Sequence, residues 1–398
     1  MKTPFNGPLF VAAALALSAL MAGCATQTTG TGQAGRLAFV ASEADGNVVV
    51  IDLDTEKVGK ILPTGKVAHT MAVAPGGRIF VNNRGSRDLT VLDALAAQVA
   101  GSVALPARSF QLALSPNEKT LAVTYIDAIK LSLVDVATNA VVNTIDLGKP
   151  AVGEFKGVMT KHPYWSPDGR FVYVADAVNK VIAKVDLAQG KVANIINIEG
   201  VNHYLHPSPD GKLLFAVNEK RAGGASLTLI DAATDAIVKD LPVALAEGEK
   251  GFGHHGAFTR DGRHFLFCNE GGQNVSVLDV AKQAWVKTIK TGKGPGHAAL
   301  SPDGKQFFII HHNDGVITVI DTARLEAVQT IKIGNGNKQS HAAWFTPDGK
   351  FFYVVATSDN MLVKIDVARM EAVSRMPVGG KSFFFVIKDG LDFPATEY

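Results

Sequence analysis

Cysteine is almost missing: Cys24 and Cys268 are the only two in 398 residues. A disulfide framework is therefore excluded, and stability has to come from packing. Charge imbalance is missing too. The net charge is +2 and no basic block stands out, so the chain lacks the electrostatic footprint of a nucleic-acid binder. There is no CxxCH motif, so no c-type haem is attached covalently. Gly223 and Gly224 follow no strand-to-helix pattern, which argues against a phosphate-cradling loop. What is present is a chain 47% hydrophobic and 19% charged, long enough to bury a substantial core and without a signature of disorder.

The N-terminus reads as a targeting segment. Lys2 supplies the positive start, Leu9 to Ala22 form an apolar stretch too short to span a bilayer, and small residues precede Cys24. The run "LMAGC" resembles a bacterial lipobox, which implies cleavage before Cys24 and its lipidation; plain cleavage to a soluble periplasmic protein is the alternative. Ala25, uncharged, implies by the same resemblance an outer-membrane anchor facing the periplasm. The expected organisation is a signal peptide over 1–23, a Thr/Gly/Gln-rich tether over 24–35 and a folded body over 36–398.

That body is repetitive. A turn anchor recurs at Ala74-Pro-Gly-Gly, Ser115-Pro-Asn-Glu, Ser166-Pro-Asp-Gly, Ser208-Pro-Asp-Gly, Thr259-Arg-Asp-Gly, Ser301-Pro-Asp-Gly and Thr346-Pro-Asp-Gly, with a degenerate copy at Ile387-Lys-Asp-Gly. A second anchor, an apolar residue followed by Asp, falls at Asp52, Asp93, Asp135, Asp186, Asp231, Asp279, Asp321 and Asp366. Between the anchors run segments of period two, rich in β-branched and aromatic residues and broken by Asn, Asp and Gly. Units of roughly 40–45 residues with this patterning predict four-stranded antiparallel blades. The chain starts in a second strand at Arg36, whereas the last repeat, Ser382 to Gly390, supplies only a first strand. The predicted fold is all-β: an eight-bladed β-propeller closed by a 1+3 clasp of N- and C-terminal strands, leaving no free edge.

The stretches "SPDGRFVYVAD...VIAKVD" and "TPDGKFFYVVATSDNMLVKID" resemble YVTN-type propeller repeats, related to the haem d1-binding superfamily that includes the d1 domain of cytochrome cd1 nitrite reductase and proteins of d1 haem maturation. The resemblance covers residues 36 to about 390 and implies a fold more than a function, since this scaffold carries unrelated activities. Without CxxCH, a complete nitrite reductase is excluded.

The histidines carry the functional signal. His69, His203, His254 and His341 lie five residues before their turn anchors, and His162, His255 and His297 lie four before. Propeller geometry gathers these positions on one face, around the channel mouth, with the second-to-third-strand connections that bring Arg84, Glu219, Glu270, His311 and His312. Nine of the eleven histidines fall there, leaving His206 and His264 outside. The two longest connections, before His162 and before His254, enlarge the same face. Converging imidazoles suit a transition metal such as Zn or Cu, or a haem d1-type tetrapyrrole with Arg84 or Arg221 on its propionates. Because side chains alternate along a strand, the two sets converge only if the chain bulges there, and three or four meeting side chains are what a metal needs.

Packing is the competing role for any single histidine. Cys268 reads as a small buried residue, and Asp168, Asp210, Asp303 and Asp348 as turn formers. No nucleophile with a convincing partner stands out, so binding is preferred to catalysis. The expected protein is an exported, monomeric propeller, lipid-anchored through Cys24, that acts in metal handling, tetrapyrrole maturation or respiratory assembly. Two alternatives stay open: an envelope scaffold for a periplasmic protein partner, and a lyase or lactonase on the same fold, which carboxylates such as Glu219 or Glu270 converging with histidine would support.

Overall fold

A computed structural model describes residues 35–148, 160–221, 224–244, 251–334 and 342–389, the side chains of Lys220 and Arg221 excepted. The expected signal peptide, Cys24, all of the expected tether but Gly35, His341 and the Arg221 side chain lie outside the described residues.

Each repeat begins its blade with the strand that leads into the turn anchor. In Ser166-Pro-Asp-Gly the serine hydroxyl donates to Asp168 Oδ1 at 2.6 Å, and Gly169 adopts φ 68° to close the turn. The same hydroxyl-to-carboxylate bond recurs at Ser208, Ser301 and Thr346, so these aspartates shape turns. The second anchor caps another turn: Asp52 Oδ1 accepts the amides of Asp54 and Thr55, both at 2.9 Å. Alternation does the rest. In every blade the second and third strands are almost wholly buried, while the fourth strand, such as Gln98–Ala104, turns mostly outward.

The result is eight four-stranded antiparallel sheets. The first is composite: Phe385–Lys388 pairs with Leu37–Ser42 in the register Leu37↔Lys388 to Val40↔Phe385, beside Asn47–Asp52 and Lys57–Pro63. The eight-bladed propeller and its 1+3 clasp are therefore as the repeats predict. We number the blades 1 to 8 in chain order, with the composite as blade 1. The core is distributed over the seams. Each pair of neighbouring blades encloses its own apolar cluster, including one in which Ala38, Val40 and Ile51 of blade 1 meet Trp344 and Tyr353 of blade 8. Cys268 is fully buried in the seam between blades 6 and 7, where burial pushes its thiol up, and it is no reactive group.

Candidate metal centre

The innermost strands run along the central channel: Ala68–Ala74 of blade 2, Ser109–Leu114 of blade 3, Thr160–Trp165 of blade 4, Asn202–Pro207 of blade 5, Gly253–Phe258 of blade 6 and Pro295–Leu300 of blade 7. All six break register with their second strand near the start. The irregularity spans Lys161-His162 in blade 4, His203 in blade 5 and His254-His255 in blade 6, and in blade 7 it lies just before His297. A bulge of this kind re-aims side chains that strict alternation would send to opposite faces. It is why the histidines four and five residues before the turn anchors reach the same space.

Six imidazoles come together there: His162, His203, His254, His255, His297 and His312. Ring centroids are 5.1 Å apart for His162 and His203, 4.0 Å for His203 and His254, 4.2 Å for His255 and His297, and 4.5 Å for His254 and His312. Three donor groups result: His162, His203 and His255; His254, His255 and His297; and His254, Glu270 and His312, with the ligand atoms in each group within 4.8 Å of one another. Two metal–nitrogen bonds of about 2.1 Å span at most roughly 4.2 Å, so displacements under about 1 Å close any of the three.

Burial sets the chemistry of these rings. It drives His162, His254 and His255 well below the usual histidine range, helped by repulsion from neighbouring rings, and it lowers His203 as well. Neutral imidazole is the metal-binding form. His203 is also oriented from behind. Its Nδ1 donates to Glu219, whose carboxylate receives Lys161 Nζ at 2.9 Å. Burial alone would raise Glu219, but the His203 bond and the Lys161 charge hold it down at about 2. With Nδ1 committed, Nε2 is the nitrogen His203 offers to a ligand. His255 Nδ1 is buried and has no hydrogen-bond partner among the described residues. Glu270 touches two rings, His312 Nδ1 at 3.3 Å and His254 Nε2 at 3.8 Å.

His162, His203, His254, His255 and His297 form one side of a cavity of about 390 Å³. The other side is apolar, built from Met71, Val73, Leu112 and Leu114 of blades 2 and 3 with Phe110 and Phe384. Arg84 lines it, stacked 4.5 Å over the Phe110 ring and donating from Nε to the Phe110 carbonyl at 3.2 Å; burial lowers its guanidinium to about 10.

Not every expected ligand joins. His69 lines the cavity at its apolar end, where its Nδ1 is bonded to Glu43 and its ring meets Phe384 edge-on at 4.7 Å; among the described residues no donor group includes it. His311 joins no donor group among the described residues either. It ends the second strand of blade 7 and turns into the blade, with Nε2 2.9 Å from Thr318 Oγ1. The corresponding residues Asn83 and Asn218 bond Thr90 and Thr228 at 3.0 and 2.9 Å, so His311 fills a structural position of the blade. Arg221 and His341 lie outside the described residues. His206, expected away from the mouth, packs behind it: its ring is 5.9 Å from that of His255, and its Nε2 accepts the Gly256 amide at 3.3 Å.

With this geometry in hand, comparison with solved structures places the architecture. The dihydro-heme d1 dehydrogenase NirN in complex with DHE is similar at a TM-score of 0.73 and 22% identity, over 88% of this chain and 74% of that one. The two share the propeller fold. AztD from Citrobacter koseri, in its apo form, gives a TM-score of 0.63 at 16% identity, over 89% of this chain and 98% of that one. The hydrazine synthase of Kuenenia stuttgartiensis gives 0.57 at 21%, over 76% and 96%. By sequence, the family described as Lactonase, 7-bladed beta-propeller matches over residues 246–384, which run from just ahead of blade 6 to the clasp of an eight-bladed ring. No curated protein matches. At such identities the likeness carries the fold alone.

Proposed function

We propose that this protein is an exported, periplasmic metal-binding propeller, anchored through Cys24, which takes up a borderline transition-metal ion, Zn(II) or Cu, at the channel mouth. It holds or hands on that ion without covalent catalysis. One observation carries this reading: among the described residues six imidazoles from blades 4 to 7, four of them buried and His162 and His312 at least partly so, lie in three overlapping donor groups with ligand atoms within 4.8 Å. Such a set places several neutral nitrogen donors close together, and a borderline transition-metal ion is the ligand that such donors suit.

A tetrapyrrole is the second reading, favoured by the apolar wall of the cavity and by Arg84, whose cation suits a carboxylate substituent. Purified protein distinguishes the two. The expected result is an elemental analysis with stoichiometric Zn or Cu and a melting temperature that climbs with added metal; an ion at 100 times its Kd contributes about 2.7 kcal/mol. A Soret-type band without metal uptake selects the tetrapyrrole. Neither metal nor pigment, with a melting temperature indifferent to Zn(II) and Cu(II), overturns both.

A further inference from the structure

The donor groups do not describe one site. His162, His203 and His255 form one group; His254, Glu270 and His312 form another; they share no residue. Among the described residues no group joins His162 to His312. The two sets are nevertheless neighbours, with the His203 and His254 rings 4.0 Å apart and His254 and His255 adjacent in the bulge of blade 6. His297 stands between them, its ring centroid 4.2 Å from that of His255 and 5.2 Å from that of His312. We infer that the channel mouth holds two transition-metal ions at once, as an adjacent pair, one in the all-imidazole set of blades 4 to 6 and one in the set of blades 6 and 7 that contains Glu270. This rests on the metal-binding reading above and deepens it.

The two sets differ in chemistry. Three neutral nitrogens leave the full ionic charge on the first ion, whereas the Glu270 carboxylate offsets part of it on the second. Two dications placed side by side repel, so uptake is stepwise. The set with its own carboxylate fills first. The all-imidazole set fills second, with lower affinity, and is the one from which an ion is released most readily. The fold makes room for the Glu270 set: Gly296 lies against the His312 ring, and a methyl group at 296 would overlap it.

The test uses the purified full chain stripped of metal and titrated with Zn(II) against a chromophoric chelator, in parallel with Cu(II) followed by electron paramagnetic resonance. The expected result is two ions per chain in two steps, with the Cu(II) signal of the first equivalent broadened by dipolar coupling as the second binds. His162→Gln is expected to remove the weaker step and Glu270→Gln to weaken the stronger one at least tenfold, each leaving the other ion bound; circular dichroism and the melting temperature of each variant report its folding. Saturation at one ion by the unaltered protein overturns the pair while leaving the metal-binding reading intact, as do two ions without magnetic coupling for their adjacency. No uptake at all overturns the reading on which the pair rests.

Discussion

His203 shows how a residue can be visible in the sequence while its role is not. Its place five residues before a turn anchor marks it as facing the mouth, but its usefulness depends on Glu219, 16 residues on, and on Lys161 from the preceding blade. Carboxylates behind ligating histidines fix the ring and the tautomer, and their loss typically costs about 10–100-fold in metal affinity. Glu219→Gln is therefore expected to weaken metal binding by that factor without changing the fold, read by competition against a chelator of known affinity. An unaltered affinity would assign Glu219 to structure alone. Glu43 was the residue missed, because blade 1 opens inside its second strand and has no turn anchor ahead of it to flag the position. The signal was there in the repeat columns: Glu43, Arg84, Glu270 and His312 each follow the last residue of a second strand, and Glu219 holds the same column within the longer strand Leu213–Arg221. The preceding column, with Asn83, Asn218 and Asn269, would have set His311 apart from His312.

At the scale of the strand, the blades were legible because turn chemistry and period-two patterning agree in every repeat. The clasp was legible for the same reason, since the first and last copies are incomplete in complementary ways. The number of meeting histidines was not. Among the described residues six converge, more than the three or four a metal needs, because a bulge inserts one residue at a point that alternation alone cannot reveal. The clasp strand is short, Phe385–Lys388, yet it supplies the fully buried Phe385 to the seam with blade 8. Phe385→Ala removes that ring where the neighbouring sheets cannot collapse onto the gap. The expected cost is about 3–5 kcal/mol, measured as a fall in the denaturant midpoint at unchanged slope. A loss below about 1 kcal/mol would mean that the ring does not depend on this closure.

For the whole molecule, burying histidines at the mouth makes stability depend on pH in a definite direction. Burial, together with the charge of His203, holds His206 down to about 3, and burial with the nearby Arg84 charge holds His69 at about 4 against the pull of Glu43. In the unfolded chain both return to the ordinary histidine value of about 6.5. Between the folded and unfolded values the unfolded state binds more protons, so stability rises with pH through that window and falls on acidification. Each such histidine contributes a slope of about 1.4 kcal/mol per pH unit, over pH 6.5 to 4 for His69 and 6.5 to 3 for His206. Glu219, depressed to about 2, adds a loss of the same sign, beginning as pH drops below the ordinary carboxylate value. The metal-free protein should thus be at full stability near pH 7 and above and lose several kcal/mol by pH 4 to 5, seen in urea melts at a series of pH values. His206→Asn, which removes the titrating ring but keeps a polar side chain beside the Gly256 amide, is expected to flatten the profile between pH 6.5 and 4 by about one histidine's slope. A profile unchanged by that substitution would show that the ring takes up its proton without unfolding, which a mouth open to water would allow and one sealed behind His255 would not.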